Sequence, residues 1–433
     1  MPRLRKSRFA VVVPFESAGE KLAAIYQTLT RAFVILPEKG WSSLLEDSFE
    51  GVDPGTPGFL VEQGILVNGR TDEGILFEGW KQARIHDFSH LKSKVVVTRK
   101  CNNRCRYCIV DAEAKEMSRE TAWAMDAFYI DLIREKSPKS VDDEYSGGEP
   151  FLNSDIILES AARRFFFCLG KGIDYGFRII NNGTLINPTA VSAMKKVGLK
   201  GVRVSIAGPA DVHDKLRPSR ENRGTYALIA ENLRAVSGMV PIGVECQYDA
   251  ASADYLRIPE MLDDLRERGV AVNEVAFTPI LPQRVRTAFN KGMGDVKILL
   301  YLMDEAEKRG FPQYGEAPSN ACSADYRSRF AFDVDGSLIA CPVMQNGEMT
   351  YGDVFKGVDF PAQAGMLDRT FEKKCRDECE FLPLCMGGCR LQALTKSGDF
   401  NGVDCYYEMM NLLLKEYVQR KVKETLAAGA AEN

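Results

Sequence analysis

Between residues 94 and 279 the chain repeats one pattern: a short β-branched or aromatic run, then a stretch whose apolar residues recur at helical spacing. Strands are expected at 94–98, 142–146, 175–181, 201–206, 242–247 and 272–277. The helix between the first two is the plainest, because Ser118 can cap it while Met125, Phe128, Tyr129, Leu132 and Ile133 share one face. Six strands in such alternation pair in parallel through right-handed crossovers, which leaves an open sheet or a partial α/β barrel. In either, chemistry belongs at the C-terminal ends of the strands.

The flanks read differently. Residues 9–13 suit a strand, Ser17 can cap a helix carrying Leu22, Ile25, Tyr26, Leu29 and Phe33, and 65–69 reads as a strand and turn. Residues 1–90 are therefore expected to form a small α+β unit. After the barrel segment, 91–285, come a connecting stretch with one helix (286–321), a cysteine-dense region (322–408) and a last helix and tail (409–433). A length of 433 residues suits this division, and 45% hydrophobic with 27% charged residues excludes disorder and a disulfide miniprotein. Fifty-six basic against sixty acidic side chains argue against general nucleic-acid binding. The first apolar run is broken by Pro14 and Glu16, so neither a signal peptide nor a membrane span fits, and a cytoplasmic location is expected. Twelve cysteines in that setting are reduced thiols and need a role other than disulfides.

Cys101, Cys105 and Cys108 begin just past the first strand. Three thiolates in one loop can hold three irons of a four-iron cluster and leave the fourth iron open, whereas a structural zinc site wants a fourth Cys or His that the loop lacks. C-x3-C-x2-C, with Tyr107 before the last cysteine and directly after strand one, resembles the radical S-adenosylmethionine (SAM) superfamily. Gly147, Gly148, Glu149 and Pro150 after strand two are similar to that family's motif for the SAM amino group. Asn182 takes the position of the family's Asn after strand three, and Ser205 and Arg217 match the residues that meet the ribose and the carboxylate of SAM. Asn181 and Ala207 depart from the family pattern, which has Thr and Asp there. The resemblance implies a partial (β/α)6 TIM-like barrel. His86, His90 and His213 have no metal-ligand company, and Cys168 and Cys246 read as packed core residues.

A second group of cysteines follows: Cys322, Gly336-x4-Cys341, Cys375-x3-Cys379-x5-Cys385-x3-Cys389 and Cys405. The pattern resembles the SPASM extension of radical SAM enzymes, which carries two auxiliary four-iron clusters, although the family has x2 in the first short gap where this chain has x3. The resemblance implies that Cys375, Cys379, Cys385 and Cys405 hold one cluster. It implies that Cys322, Cys341 and Cys389 hold the other, with one iron left over, because Ser328 stands where some relatives place a fourth cysteine. Water, Cys246 and a substrate thiolate are the candidates for that iron. Paired cysteines at short spacing also resemble zinc ribbons, so a zinc-stabilised interaction protein is the reading of a different class.

Taken together, the resemblance implies three [4Fe-4S] clusters, SAM, and an electron donor such as flavodoxin or ferredoxin. It implies an oxidoreductase whose reduced cluster splits SAM into methionine and a 5′-deoxyadenosyl radical, which removes hydrogen from an unactivated carbon. Two family reactions compete: crosslinking of a ribosomally made peptide by a thioether or carbon-carbon bond, and oxidation of a sulfatase Ser or Cys to formylglycine. Sulfatase-type relatives carry an Asp directly after the cysteine of the G-x4-C segment, and Pro342 stands there. Peptide maturases carry a winged-helix-like domain that pairs a leader peptide as an added strand, a role that residues 1–90 suit. The expected activity is therefore maturation of a precursor peptide whose leader docks on residues 1–90. No acid or base is nominated, although Asp143, Glu144 and Tyr145 stand on strand two.

Overall fold

A computed structural model describes residues 3–46, 52–108, 115–280, 293–319, 321–343 and 349–431. The N-terminal unit holds β1 (Leu4–Lys6), β2 (Ala10–Ser17), β3 (Glu20–Gln27), β4 (Phe33–Pro37) and β5 (Leu66–Asn68), with helices Glu38–Leu45, Thr56–Glu62 and Glu73–Ile85. β2, β3 and β4 make an antiparallel sheet with β3 in the middle, and β1 pairs with β5. The helix expected after Ser17 is instead strand β3. Ala18 and Gly19 both have positive φ, 50° and 80°, the two-residue turn whose twist matches paired strands. Every residue from 22 to 27 is buried, because the sheet is covered on both faces. Ala23 and Ile25 pack with Trp41, Leu44 and Leu60, while Ala24 and Tyr26 pack with Tyr417 and Val418 of the helix Tyr407–Ala431. Continuous burial erased the alternation that would have marked a strand.

The barrel strands are β6 (His90–Thr98), β7 (Ser140–Gly147), β8 (Asp174–Asn181), β9 (Leu199–Ile206), β10 (Ile242–Tyr248) and β11 (Val272–Pro279), each overlapping an expected run. All neighbouring pairs are parallel. Ser118 caps the helix Arg119–Lys136 by accepting the Thr121 N–H at 3.0 Å. Val95, Tyr145, Ile179, Val204 and Val244 join Tyr129, Ile157 and Leu233 in the main core, between sheet and helices. Lys94, Glu144, Arg178, Arg203 and Glu274 occupy the alternate positions and carry charge onto the other face. There Lys94 meets Glu144 at 3.2 Å, and Arg203 and Arg178 reach Glu274 at 2.6 and 3.8 Å across one and two intervening strands. Neighbouring strands lie about 4.8 Å apart, so this reach marks a curled sheet with the charged face inside. The architecture is α/β, a partial barrel.

The cysteine-rich region is built onto the barrel's edge. β12 (Arg329–Phe332) pairs in parallel with β6, and β13 (Ser337–Ile339), β14 (Thr350–Asp353) and β15 (Gly357–Val358) continue antiparallel, making ten strands one sheet. The connecting helix Met293–Lys308 is tied to the last helix through Arg420 and Asp304, 2.5 Å apart.

Candidate active site

At the mouth of the barrel, β7 closes on the strand that leads into the first cysteine loop. A Cβ on Gly147 or Gly148 would lie 2.2 Å from the carbonyl oxygens of Thr98 or Lys100, so only glycine permits the approach. Those carbonyls accept the N–H groups of Gly148 and Glu149 at 2.8 Å. The glycine pair therefore seats Cys101. Glu149 is fully buried and accepts the N–H groups of Asn182 at 2.7 Å and Phe151 at 3.0 Å. Burial pushes its carboxyl up to about 7, against the pull of those donors and of Arg217. The Asn182 amide donates to Asn102 at 2.8 Å and lies 3.9 Å from the Cys101 sulfur, so the end of β8 grips the loop from the other side. Beyond it, the N–H groups of Arg104 and Arg106 donate to the carbonyls of Pro218 and Leu216.

Arg217, Tyr107, Gln247 and Ser205 form a hydrogen-bonded chain across the mouth. Arg217 Nη1 donates to the Tyr107 hydroxyl at 2.7 Å and to Gln247 Oε1 at 3.1 Å, and Gln247 Nε2 donates to Ser205 at 3.4 Å. His213 sits behind this chain. Its Nδ1 accepts the Ala207 N–H at 3.2 Å, so Nε2 carries the proton and donates to the Thr225 hydroxyl at 3.0 Å, which donates to the Arg217 carbonyl at 2.8 Å. Burial, and then Arg217, pushes this imidazole down to about 3. His213 is thus a neutral hydrogen-bonding residue that orients the segment carrying Arg217.

The remaining thiols sort by mutual electrostatic influence, which falls with distance. Burial is the leading cause that pushes Cys101 and Cys322 up to about 11, and neighbouring thiols add to it: Cys105 and Cys108 for Cys101, Cys341 and Cys389 for Cys322. Burial likewise raises Cys379 to about 11 and Cys385 to about 12, with Cys375 and Cys405 acting on the first, and Cys379 and Cys405 on the second. Of the first expected set, Cys375, Cys379 and Cys405 line one cavity; of the second, Cys389 packs against the same apolar cluster as Cys379 and Cys385. Asp325 joins the second set by accepting the Cys322 N–H at 3.1 Å and pairing with Arg390, next to Cys389, at 2.7 Å. Arg369 gathers the carbonyls of Met386, Gly387, Gly388 and Gly402. Among the described residues no three His, Cys, Asp or Glu side chains converge as a site for a single metal ion. Cys246 lies in the helix-facing core with Ile206 and Val244, and Cys168 shares that core. Ser328 is buried, and its carbonyl accepts the Lys92 N–H at 3.0 Å.

Between the concave face of the barrel and the Cys322 and Cys341 segments lies a cavity of about 610 Å³, bounded by Lys94, Glu144 and Arg178 on one side and Ala324, Tyr326 and Pro342 on the other. Of the strand-two trio, Asp143 is engaged by Arg164, Ser93 and Tyr175 at 2.6 to 3.0 Å, and Tyr145 donates to Ser160 at 3.0 Å. Glu144 lines the cavity, paired with Lys94.

Residues 95–246, which contain the first cysteine loop, the glycine pair and Arg217, match the Radical SAM superfamily. The chain carries a radical SAM domain. Within it, the chain is 34% identical over 136 residues to the Fe-coproporphyrin III synthase of Methanosarcina barkeri, 30% of this chain and 31% of that protein. It is 27% identical over 158 residues to an AdoMet-dependent heme synthase of Nitratidesulfovibrio vulgaris, 35% of this chain and 37% of that protein. The matched stretches thus span about a third of the length of these relatives. In fold the likeness reaches beyond the radical SAM domain. The structure of anSMEcpe with bound AdoMet and Cp18Cys peptide superposes with a TM-score of 0.58 at 16% identity, over 78% of this chain and 98% of that one. SuiB of Streptococcus suis bound to the precursor peptide SuiA superposes with a TM-score of 0.54 at 15% identity, over 93% of this chain and 99% of that one.

The residues of the radical SAM domain fit the group its family uses. Cys101, Cys105 and Cys108 stand in one loop at the mouth, and among the described residues the guanidinium Nε of Arg217 is buried without a partner. Gln247 and Asn102 were missed by sequence reasoning. Gln247 is two residues from Glu245 on the inner parity of β10, at the strand's C-terminal end, and that parity is the signal that would have found it. Arg99 was missed too: it is 4% exposed and pairs with Asp333 at 2.7 Å, tying the entry to the Cys101 loop to the cysteine-rich region.

Proposed function

We propose that this protein is a radical SAM enzyme that modifies a ribosomally made precursor peptide, with Cys101, Cys105 and Cys108 holding one four-iron cluster and the two C-terminal cysteine sets holding auxiliary clusters. When bound, the first cluster and SAM supply the abstraction of a hydrogen atom from carbon. The chain's own residues orient and exclude water: Glu149 offers a buried carboxylate to an ammonium, Arg217 a guanidinium to a carboxylate, and the cavity between barrel and Cys322 set a place for a peptide side chain. One low-potential electron donor, of the flavodoxin or ferredoxin class, completes the requirement.

The observation that carries the peptide reading is the N-terminal unit. β4 is an edge strand with no outer partner among the described residues, and Phe59, Val61, Ile75 and Leu76 of the unit's helices are exposed apolar side chains. An open edge strand in a unit that also exposes apolar helix side chains suits capture of an extended leader. The likeness to SuiB extends over 93% of the chain, too much to leave this unit out, whereas that to anSMEcpe covers 78%. Against formylglycine formation, Pro342 offers only its carbonyl, which accepts Arg99 Nη1 at 3.3 Å. Anaerobic incubation of the protein with SAM, reductant and a precursor peptide encoded beside it should yield a peptide lighter by two hydrogens that does not react with hydrazide. A hydrazide-reactive aldehyde would favour the sulfatase-type reaction, and an unchanged peptide with no deoxyadenosine would oppose both.

A further inference from the structure

Arg217 is 7% exposed, and its side-chain hydrogen bonds all run from one nitrogen. Nη1 donates to the Tyr107 hydroxyl and to Gln247 Oε1, and that hydroxyl donates to the same Gln247 oxygen at 3.1 Å, closing a three-membered ring of contacts. Among the described residues the Nε atom is buried without a partner, and Nη2 makes no hydrogen bond. A guanidinium held in this way presents the Nε and Nη2 fork, the edge that receives a carboxylate through two parallel bonds. Leaving a buried N–H unpaired is costly, so the arrangement is one that a carboxylate ligand would complete.

We infer that Gln247 is a positioning residue for the carboxylate end of the ligand, acting through Arg217. This rests on the reading of the mouth as the SAM site. Gln247 is suited to the task because its oxygen takes both Nη1 and the Tyr107 hydroxyl while its amide is anchored on Ser205 of the neighbouring strand. Ser205, Tyr107 and Arg217 come from three different segments, and Gln247 hydrogen-bonds with all three. Without it the guanidinium keeps its charge and loses its aim.

The test measures equilibrium binding of SAM and of decarboxylated SAM to the iron-loaded full chain, under anaerobic conditions, for the wild type, Gln247→Ala and Arg217→Lys. Both variants should bind SAM about tenfold more weakly or worse, bind decarboxylated SAM as the wild type does, and retain wild-type iron content and melting temperature. Gln247→Glu, which would hold the guanidinium with a competing carboxylate, should show the larger loss, again for SAM alone. Unchanged SAM affinity in Gln247→Ala would overturn the inference, as would equal losses for both ligands. A wild-type protein that binds iron but no SAM would overturn the underlying reading, an outcome seen before any variant is made.

Discussion

At the residue scale, His213 shows how burial converts a titratable group into a structural one. Its ring accepts from one backbone N–H and donates to one hydroxyl, so protonating Nδ1 would break the bond to Ala207 and place a charge beside Arg217. The imidazole titrates near 6.5 when unfolded and near 3 when folded. The unfolded chain therefore binds the extra proton first, and the stability present above pH 6.5 is lost as pH falls toward 3. Denaturant midpoints of the wild type should fall between pH 7 and 5 more steeply than those of His213→Asn, which keeps polar contacts but cannot titrate. Parallel curves would show that other groups control the acid loss. Glu149, by contrast, is a buried carboxyl whose two oxygens already hold backbone donors, which explains why the tetrapeptide carrying it cannot be read as a ligand motif alone.

At the element scale, the glycines of the Gly147-Gly148 pair serve strand closure as much as any ligand. Gly148→Ala would force a methyl group to within 2.2 Å of the Lys100 carbonyl, a backbone atom that cannot swing aside. The end of β7 must then part from the entry to the Cys101 loop. The expected outcome is a destabilisation of about 1–3 kcal/mol together with reduced iron content in the first cluster, read by melting temperature and by iron per chain in protein whose C-terminal cysteines are replaced by alanine. Normal iron loading would separate the glycine's packing role from the loop. Arg99 and Asp333 make the second inter-element tie, since they link β6 to the segment after β12 and so hold the Cys341 loop in register with the first cysteine loop.

At the scale of the whole molecule, the N-terminal unit is a buttress as well as a candidate docking surface. Val11, Val13, Ala24 and Tyr26 pack on Met410, Leu414, Tyr417 and Val418, and the Thr28 hydroxyl donates to the Glu380 carbonyl at 2.6 Å, one residue from Cys379. Removing residues 1–90 would uncover that apolar stripe and loosen the Cys375 to Cys385 loop. Truncation should therefore give aggregated or low-melting protein with depleted auxiliary iron, whereas Phe59→Asp and Leu76→Asp, on exposed positions, should leave folding intact and weaken peptide binding. Solubility, circular dichroism and peptide titration distinguish the two, and a truncated protein that stays folded and iron-replete would contradict the buttress.

What the amino-acid sequence determined by itself is local in origin. Strand runs, the Ser118 cap and the C-x3-C-x2-C loop follow from spacing along the chain, because period and capping act over a few residues, while Glu149 and Arg217 are reached through the resemblance to a family. Tertiary structure decided what depends on contacts between distant segments. It made 20–27 a strand by burying both its faces, and it turned Cys246 into the helix-facing core while aiming Gln247 inward. It also set Asp325 against the Cys322 N–H and Arg369 among the carbonyls of Met386, Gly387, Gly388 and Gly402. Such choices depend on which surfaces meet, and a linear pattern of residue types does not carry that information.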